Sequence, residues 1–268
     1  MSNVVITGSS KGIGLGLAAE FARRGHHVLI SGRTQAAIDS ALEKINATRP
    51  VTGRLVGQSC DVTEKTQVQH LWDKANEAFG NVDIWINNAG FARTVWPILQ
   101  TSDEDIHKMV STNMLGTIHG SKVAANGMLK QGHGKIFTML GGGSDGEYFP
   151  GMGVYGSTKR GLNYFTDALV KELQGSAIVL AKIRPGMVIT EGVIREAGAN
   201  RENFERFRKR MNNLVDTVAT VSPYLVDQIL ACEKSGQKIR WLNGGKIASR
   251  MLKSLFVTRE DQFKQFGL

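Results

Sequence analysis

Asn3-Val4-Val5-Ile6-Thr7-Gly8-Ser9-Ser10-Lys11-Gly12-Ile13-Gly14 is the stretch on which the reading of this chain turns. Its first half is a short apolar strand. Its second half is a glycine-rich turn, after which Leu15, Leu17, Ala18, Phe21 and Ala22 recur at helical spacing. Strand, glycine turn and helix in that order aim backbone N–H groups and the positive end of a helix at a phosphate. The spacing is Gly8-x-x-x-Gly12-x-Gly14 and not the general G-x-G-x-x-G. Alone, such a cluster is a tight turn. After the first strand of an α/β chain it reads as a dinucleotide site, with Thr7, Gly8, Ser10, Lys11, Gly12, Ile13 and Gly14 as the candidate contacts.

The rhythm continues outward. His27 to Ser31 forms the second strand and runs into Gly32-Arg33. An acid here would bind the 2′-hydroxyl of NAD and repel a 2′-phosphate. None is present, and Arg33, with Lys11 in the glycine turn, offers cations suited to phosphate, so NADP(H) is the expected cofactor. Gln35 to Thr48 predicts a helix, Arg54 to Ser59 a third strand, and Thr63-Glu64 the start of a helix to Phe79. Asp61, followed by Val62, either caps a turn or holds an adenine. Val82 to Ile86 predicts a fourth strand, leading into Asn87-Asn88-Ala89-Gly90, Lys135 to Leu140 a fifth, and Ala177 to Ile183 a sixth that ends at Pro185-Gly186. Alternating strands and helices predict a doubly wound parallel sheet with helices on both faces. At Pro185-Gly186 the proline fixes the turn and the glycine admits a close backbone approach, with Val188 and Thr190 nearby to pack or hydrogen-bond.

Tyr155-Gly156-Ser157-Thr158-Lys159 carries the expected chemistry. A tyrosine four residues before a lysine on a helix puts phenol and ammonium on one face. The cation is expected to favour the phenolate and so lower the phenol's pKa, making it a proton donor or acceptor. The bland reading is one turn of a surface helix.

The ordered set Thr7 to Gly14, Asp61, Asn87-Asn88-Ala89-Gly90, Asn113, Tyr155-x-x-x-Lys159 and Pro185-Gly186 resembles the short-chain dehydrogenase/reductase family, over about the first three-quarters of the chain. The resemblance implies a Rossmann-type fold, a nicotinamide cofactor, and frequent assembly as a homodimer or homotetramer. It implies Tyr155 as catalytic acid or base, Lys159 as its electrostatic partner and ribose ligand, and Asn113 as holder of a relay water. It also implies that Asn88, Ala89 and Gly90 line the cofactor.

One expected residue is missing. Members of that family carry a serine thirteen positions before the tyrosine, and here that position is Gly142. Ser144 lies two residues later in Gly141-Gly142-Gly143-Ser144-Asp145-Gly146. It either supplies the donor that polarises a substrate carbonyl or is a loop serine with no catalytic part. The displaced serine, Pro185-Gly-Met-Val-x-Thr190-Glu191 and Gly236-Gln-Lys-Ile-Arg-Trp-Leu242 are similar to the chlorophyll b reductase branch, whose members reduce a chlorin formyl group with NADPH. Rival expectations are a reductase of lipid-like, steroid or acyl compounds, or a regulator that binds NADP(H) without turnover.

At 268 residues a single domain suffices: 1–120 mainly cofactor-binding, 187–222 a substrate lid, 244–268 a basic amphipathic extension. In the lid, Phe204, Phe207, Met211 and Leu214 predict an amphipathic helix over a pocket, with Phe91, Trp96, Tyr148, Phe149 and Met152 adding apolar wall. Ser222-Pro223 predicts a helix start and Ile239 to Leu242 a last strand. Lys246 to Phe256 predicts a basic amphipathic helix that packs on a second subunit or touches a membrane surface. The net charge of +9 gathers in Arg201 to Arg210 and in the tail from Lys234 to Lys264. No nucleic-acid motif accompanies it, so nucleic acid is not an expected partner. Cys60 and Cys232 fit no metal spacing, and no metal is expected. No signal sequence or membrane span is read, which predicts a cytoplasmic protein, peripheral to a membrane at most, acting on a small molecule with an apolar body.

Overall fold

A computed structural model describes residues 1–48 and 51–268. The apolar runs become strands, and in the inner ones nearly every residue is buried, as a parallel sheet covered on both faces requires. In chain order the elements are β1 (Asn3–Ile6), α1 (Gly12–Arg23), β2 (His27–Gly32), α2 (Gln35–Thr48), β3 (Leu55–Ser59), α3 (Lys65–Phe79) and β4 (Ile84–Asn87). Then come α4 (Asp103–Met109), a π-helical turn (Val110–Leu115), α5 (Gly116–Gln131), β5 (Gly134–Met139), α6 (Gly153–Glu172) and β6 (Ile178–Arg184). The remainder is β7 (Val188–Ile189), α7 (Glu191–Ala199), α8 (Arg201–Leu214), β8 (Asp216–Thr217), α9 (Val218–Leu230), β9 (Lys238–Arg240) and α10 (Gly244–Lys253).

Seven strands form one parallel sheet in the order β3-β2-β1-β4-β5-β6-β9, with Val4 opposite Val28 on one side and Ile84 on the other. Alternation along β1 sends Val4 and Ile6 to one face and Val5 to the other. Val4 and Ile6 meet Leu17, Ala18 and Phe21 of α1, Ile38 of α2, and Leu225 and Ile229 of α9. Val5 meets Val68, Leu71 and Trp72 of α3 and Val123, Ala124 and Met128 of α5. The order reverses between β1 and β4, which opens a crevice at the carboxyl ends of those strands, where α/β sheets bind ligands.

Three details depart from the sequence expectations. Pro223 lies inside α9 and does not start it. The start is set five residues earlier, where the Thr217 hydroxyl accepts from Thr220 N and caps the helix directly off β8. Second, the segment expected as a lid holds two helices, α7 and α8, and a parallel pairing of β7 with β8 ties its ends together. Third, Phe204 does not face a cavity. It is buried edge-on against Phe263 (centroids 5.1 Å apart) in a separate apolar cluster with Ile189, Ala197 and Val215, so the lid packs on the chain's own C-terminal tail.

Candidate active site

The glycine turn is stapled into place. The Ser9 hydroxyl donates to Ile6 O and accepts from Ser31 N, while Thr7 Oγ1 accepts from both Asn88 N and Ala89 N at 3.0 Å. Asn88 Nδ2 donates to the carbonyls of Thr7 and Gly8. A Cβ on Gly8 would lie 2.7 Å from Ala89 Cα, and one on Gly14 would lie 2.4 Å from Asn88 Nδ2. These two glycines therefore serve the packing of the Asn88-Ala89-Gly90 corner onto the turn. Gly12 is required differently: its φ of +58° is left-handed, and it opens a helix whose N-cap, Lys11, contributes no side-chain hydrogen bond. The first N–H groups of α1 are thus left for an anion.

Around this cradle Lys11 and Arg33 are exposed, and Ser10 Oγ stands 2.9 Å from the place a Gly32 Cβ would take. Thr190, which caps α7 by accepting from Val193 N, lies beside Gly12, as does the Glu191 carboxylate. Asp61 makes the turn cap, accepting from Thr63 N and Thr63 Oγ1 through one oxygen; Val62 behind it is buried against Gly116. Gly186 has φ +80°, and its Cβ direction is closed by Leu242, so its glycine answers to the turn and to that contact. Val188 is buried in β7. An uncapped helix end, left-handed glycines and exposed cations together fit a phosphate-bearing dinucleotide.

Tyr155 and Lys159 share one face of α6 at the carboxyl edge of β5. The Lys159 ammonium is buried and donates to Met139 O at 3.0 Å. It lies 5.7 Å from the Tyr155 ring centroid. Burial pushes the Tyr155 phenol up to about 12 and the Lys159 ammonium down to about 8. The expected lowering of the phenol pKa by its cation does not occur, because loss of solvation outweighs an ammonium that points at a carbonyl. Tyr155 keeps a half-buried position, and its hydroxyl makes no hydrogen bond among the described residues.

Asn113 sits on the π-helical turn, whose extra residue per turn rotates it inward, and it is fully buried. Its Nδ2 donates to Phe91 O and Thr158 Oγ1, and its Oδ1 accepts from Phe91 N. Thr158 in turn donates to Tyr155 O at 2.7 Å. Both amide hydrogens being used, a relay water has one Oδ1 lone pair to address.

The glycine run passes the tyrosine closely. A Cβ on Gly141 would lie 2.3 Å from the Tyr155 hydroxyl, and one on Gly143 2.6 Å from Gly156 Cα. Ser144 then continues along α6: its carbonyl accepts from Arg160 and Asn163, and its buried hydroxyl has no hydrogen-bond partner. Gly141, and not the Gly142 position, is the residue against the Tyr155 hydroxyl. If Tyr155 takes part in turnover, Gly141→Ala is expected to lower kcat roughly 100-fold by displacing that phenol, with dinucleotide affinity unchanged in a fluorescence titration.

Sequence reasoning missed three participants. Thr158 braces Asn113. Gly141 shapes the space at the phenol; the triple-glycine run was its only signal. Asp145 anchors the same loop through Arg184 (2.7 Å), Lys238 and Arg240 (3.0 Å), with Glu147 also on Arg184. Outside the phenol, Gly153 packs on Ile98 and Gly151 on Thr94 O, so the 94–99 and 147–153 loops meet. Trp96, Ile98, Leu99, Tyr148 and Phe149 are exposed there, forming an open apolar rim.

Comparison with known proteins agrees with this geometry. A family model described as short chain dehydrogenase matches residues 2–200. The chain is 35% identical over 260 residues to the probable chlorophyll(ide) b reductase NYC1, chloroplastic, of Arabidopsis thaliana, covering 91% of this chain and 51% of that protein. It is 36% identical over 275 residues to the chlorophyll(ide) b reductase NOL, chloroplastic, of the same plant, covering 96% and 77%. The chain thus spans about half the length of the NYC1 relative. A crystal structure of actinorhodin polyketide ketoreductase with NADPH superposes with a TM-score of 0.79 at 24% identity, over 91% of this chain and 97% of that one.

Proposed function

The chain belongs to the short chain dehydrogenase family, and from that premise we propose that it is an NADPH-dependent carbonyl reductase acting on an aldehyde or ketone carried by an apolar body. The formyl group of a chlorophyll b-like tetrapyrrole is the substrate class we favour. The observation that carries the reading is the Tyr155 hydroxyl: neutral, half-buried, free of intramolecular bonds, and backed by the buried Lys159 ammonium. The open apolar rim suits a broad ring system, and the relatives' names supply the substrate class.

A bound nicotinamide supplies the hydride. The α1 N-terminus with Gly12, Ile13 and Gly14 would hold its pyrophosphate, Asn88 to Gly90 and Thr190 its nicotinamide half, and Lys11 and Arg33 a 2′-phosphate. Tyr155 donates its proton to the substrate oxygen as negative charge grows there, and Lys159 stabilises the phenolate left behind. Asn113 positions the water that reprotonates it. A phenol held near 12 is protonated throughout the neutral range, so reduction finds its acid ready, whereas alcohol oxidation would need the scarce phenolate. Lys159, lowered to about 8, loses its charge as pH rises through that value, and the reductive rate falls with it.

The test is NADPH oxidation with a panel of formyl chlorins, long-chain aldehydes and steroid ketones. A formyl chlorin as best substrate is the expected result. Preference for an acyl chain would move the substrate class, and tight NADPH binding with no turnover would make the protein a sensor. Arg33→Asp is expected to raise the KM for NADPH by roughly 10- to 100-fold while sparing NADH, since it removes a charge-assisted phosphate contact. Unchanged discrimination would sink the assignment of Arg33.

A further inference from the structure

We propose that α8, α10 and the tail from 254 to 268 form a surface that docks the protein onto an anionic lipid bilayer. Two independent features coincide there. The first is charge. Residues 201–214 hold five basic and two acidic side chains, and residues 244–268 hold five and two, so these segments carry +6 of the chain's +9. The segments are one structural unit: Arg208 pairs with Asp261, Asn212 donates to the carbonyls of Arg259 and Glu260, and Arg259 donates back to Asn212 O. Asp216 neutralises only part of the excess by holding Arg250 and Arg259. Lys209, Arg210, Lys253 and Lys264 are exposed and make no ion pair among the described residues.

The second feature is an uncovered apolar stripe. Ile247, Met251 and Leu255 follow one another at four-residue spacing, with Leu252 and Phe256 beside them. All are exposed, Leu255 at 74% and Phe256 at 83%, and Val257 continues the patch. A hollow of about 560 Å³ lined by Arg250, Lys253, Val257 and Arg259 opens alongside, cationic at its rim and apolar within. Surface helices that rest in a bilayer interface combine these properties, and each cation near an anionic surface adds attraction. No helix among the described residues is long and apolar enough to cross a membrane, so the contact is peripheral.

Charge decides between a bilayer and a second copy of this chain. A two-fold interface brings the same patch against itself, here a patch in which the unpaired Lys209, Arg210, Lys253 and Lys264 leave an excess of one sign. Anionic headgroups neutralise the same cations. Topology adds a consequence: α10 follows β9 on the carboxyl side of the sheet, the side that carries Tyr155 and its apolar rim. The docking surface is read from charge and exposure alone and holds whichever carbonyl compound is reduced.

Co-sedimentation of the full chain with phosphatidylcholine vesicles, with and without phosphatidylglycerol, tests the proposal. Binding is expected to the anionic vesicles only and to weaken as salt is raised. The double variant Leu255→Glu, Phe256→Glu should bind roughly tenfold more weakly or worse, and Lys253→Glu roughly fivefold more weakly, with NADPH affinity unchanged as the control for folding. Absence of binding to either vesicle, or equal binding by the double variant, would overturn the proposal. So would an oligomer in light scattering that the double variant dissolves, since that assigns the stripe to a second copy.

Discussion

Tyr155→Phe is expected to reduce turnover roughly 1,000-fold, equivalent to about 4 kcal/mol of transition-state stabilisation, while leaving NADPH affinity as it was. Phenylalanine keeps the ring that packs beside Lys159 and removes only the hydroxyl, which bonds to nothing else among the described residues, so no buried partner there is orphaned by the change. Folding should be unaffected for the same reason. Stopped-flow measurement of NADPH loss separates hydride transfer from product release. The wild-type rate is expected to fall above about pH 8, as Lys159 gives up its proton, and the variant's small residual rate should lose that dependence. A variant that reduces its best substrate at the wild-type rate would remove Tyr155 from the reaction.

Asp216→Ala is expected to cost about 3 to 5 kcal/mol in unfolding free energy at neutral pH, the range for breaking a buried ion pair from one side. Asp216 is 2% exposed and takes four hydrogen bonds, from Trp241 Nε1, both terminal nitrogens of Arg250, and Arg259 Nη2. Its removal leaves two guanidinium groups facing each other across the gap. Burial opposes its ionisation, but the Arg250 bond, the Trp241 bond and the Arg259 bond outweigh that and hold its carboxyl below the usual range. The stabilisation is therefore complete above the unfolded carboxylate pKa of about 4 and is lost as pH falls through the lower folded value. Wild type and variant should converge in strong acid and differ most near neutrality, as measured by urea midpoints. Equal midpoints at neutral pH would contradict the assignment. Limited proteolysis should cut the variant first between 187 and 268, since Asp216 joins the lid to α10 and the tail.

Most of the sheet was legible because strands buried on both faces read as unbroken apolar runs. Two of the errors at their ends share a cause. The parallel ladder continues through Gly32 and Asn87, whose side chains give no apolar signal. Pro223 misled for a related reason: proline usually marks a helix start, but the Thr217 cap had already begun α9 and the missing N–H was tolerated inside it. Tyr155, Lys159, the glycine turn and Asn88 were legible as motifs. Asp216 was not, because its partners lie 25, 34 and 43 residues away and no local pattern links them. The pKa of Tyr155 was misjudged because sequence spacing fixes which groups share a helix face, whereas desolvation depends on everything else around them.

The Asp145 cluster bears on how the protein is made. The glycine turn is stapled by residues up to Ala89, but the helix it opens packs on Leu225 and Ile229 of α9. The loop that faces Tyr155 is held by Lys238 and Arg240, which follow Asp145 by 93 and 95 residues. Arg184 gives that loop an earlier hold, 39 residues after Asp145. The helix behind the turn and the loop at Tyr155 are therefore complete only when almost the last strand has emerged, and a truncated translation product should lack a packed Tyr155 site.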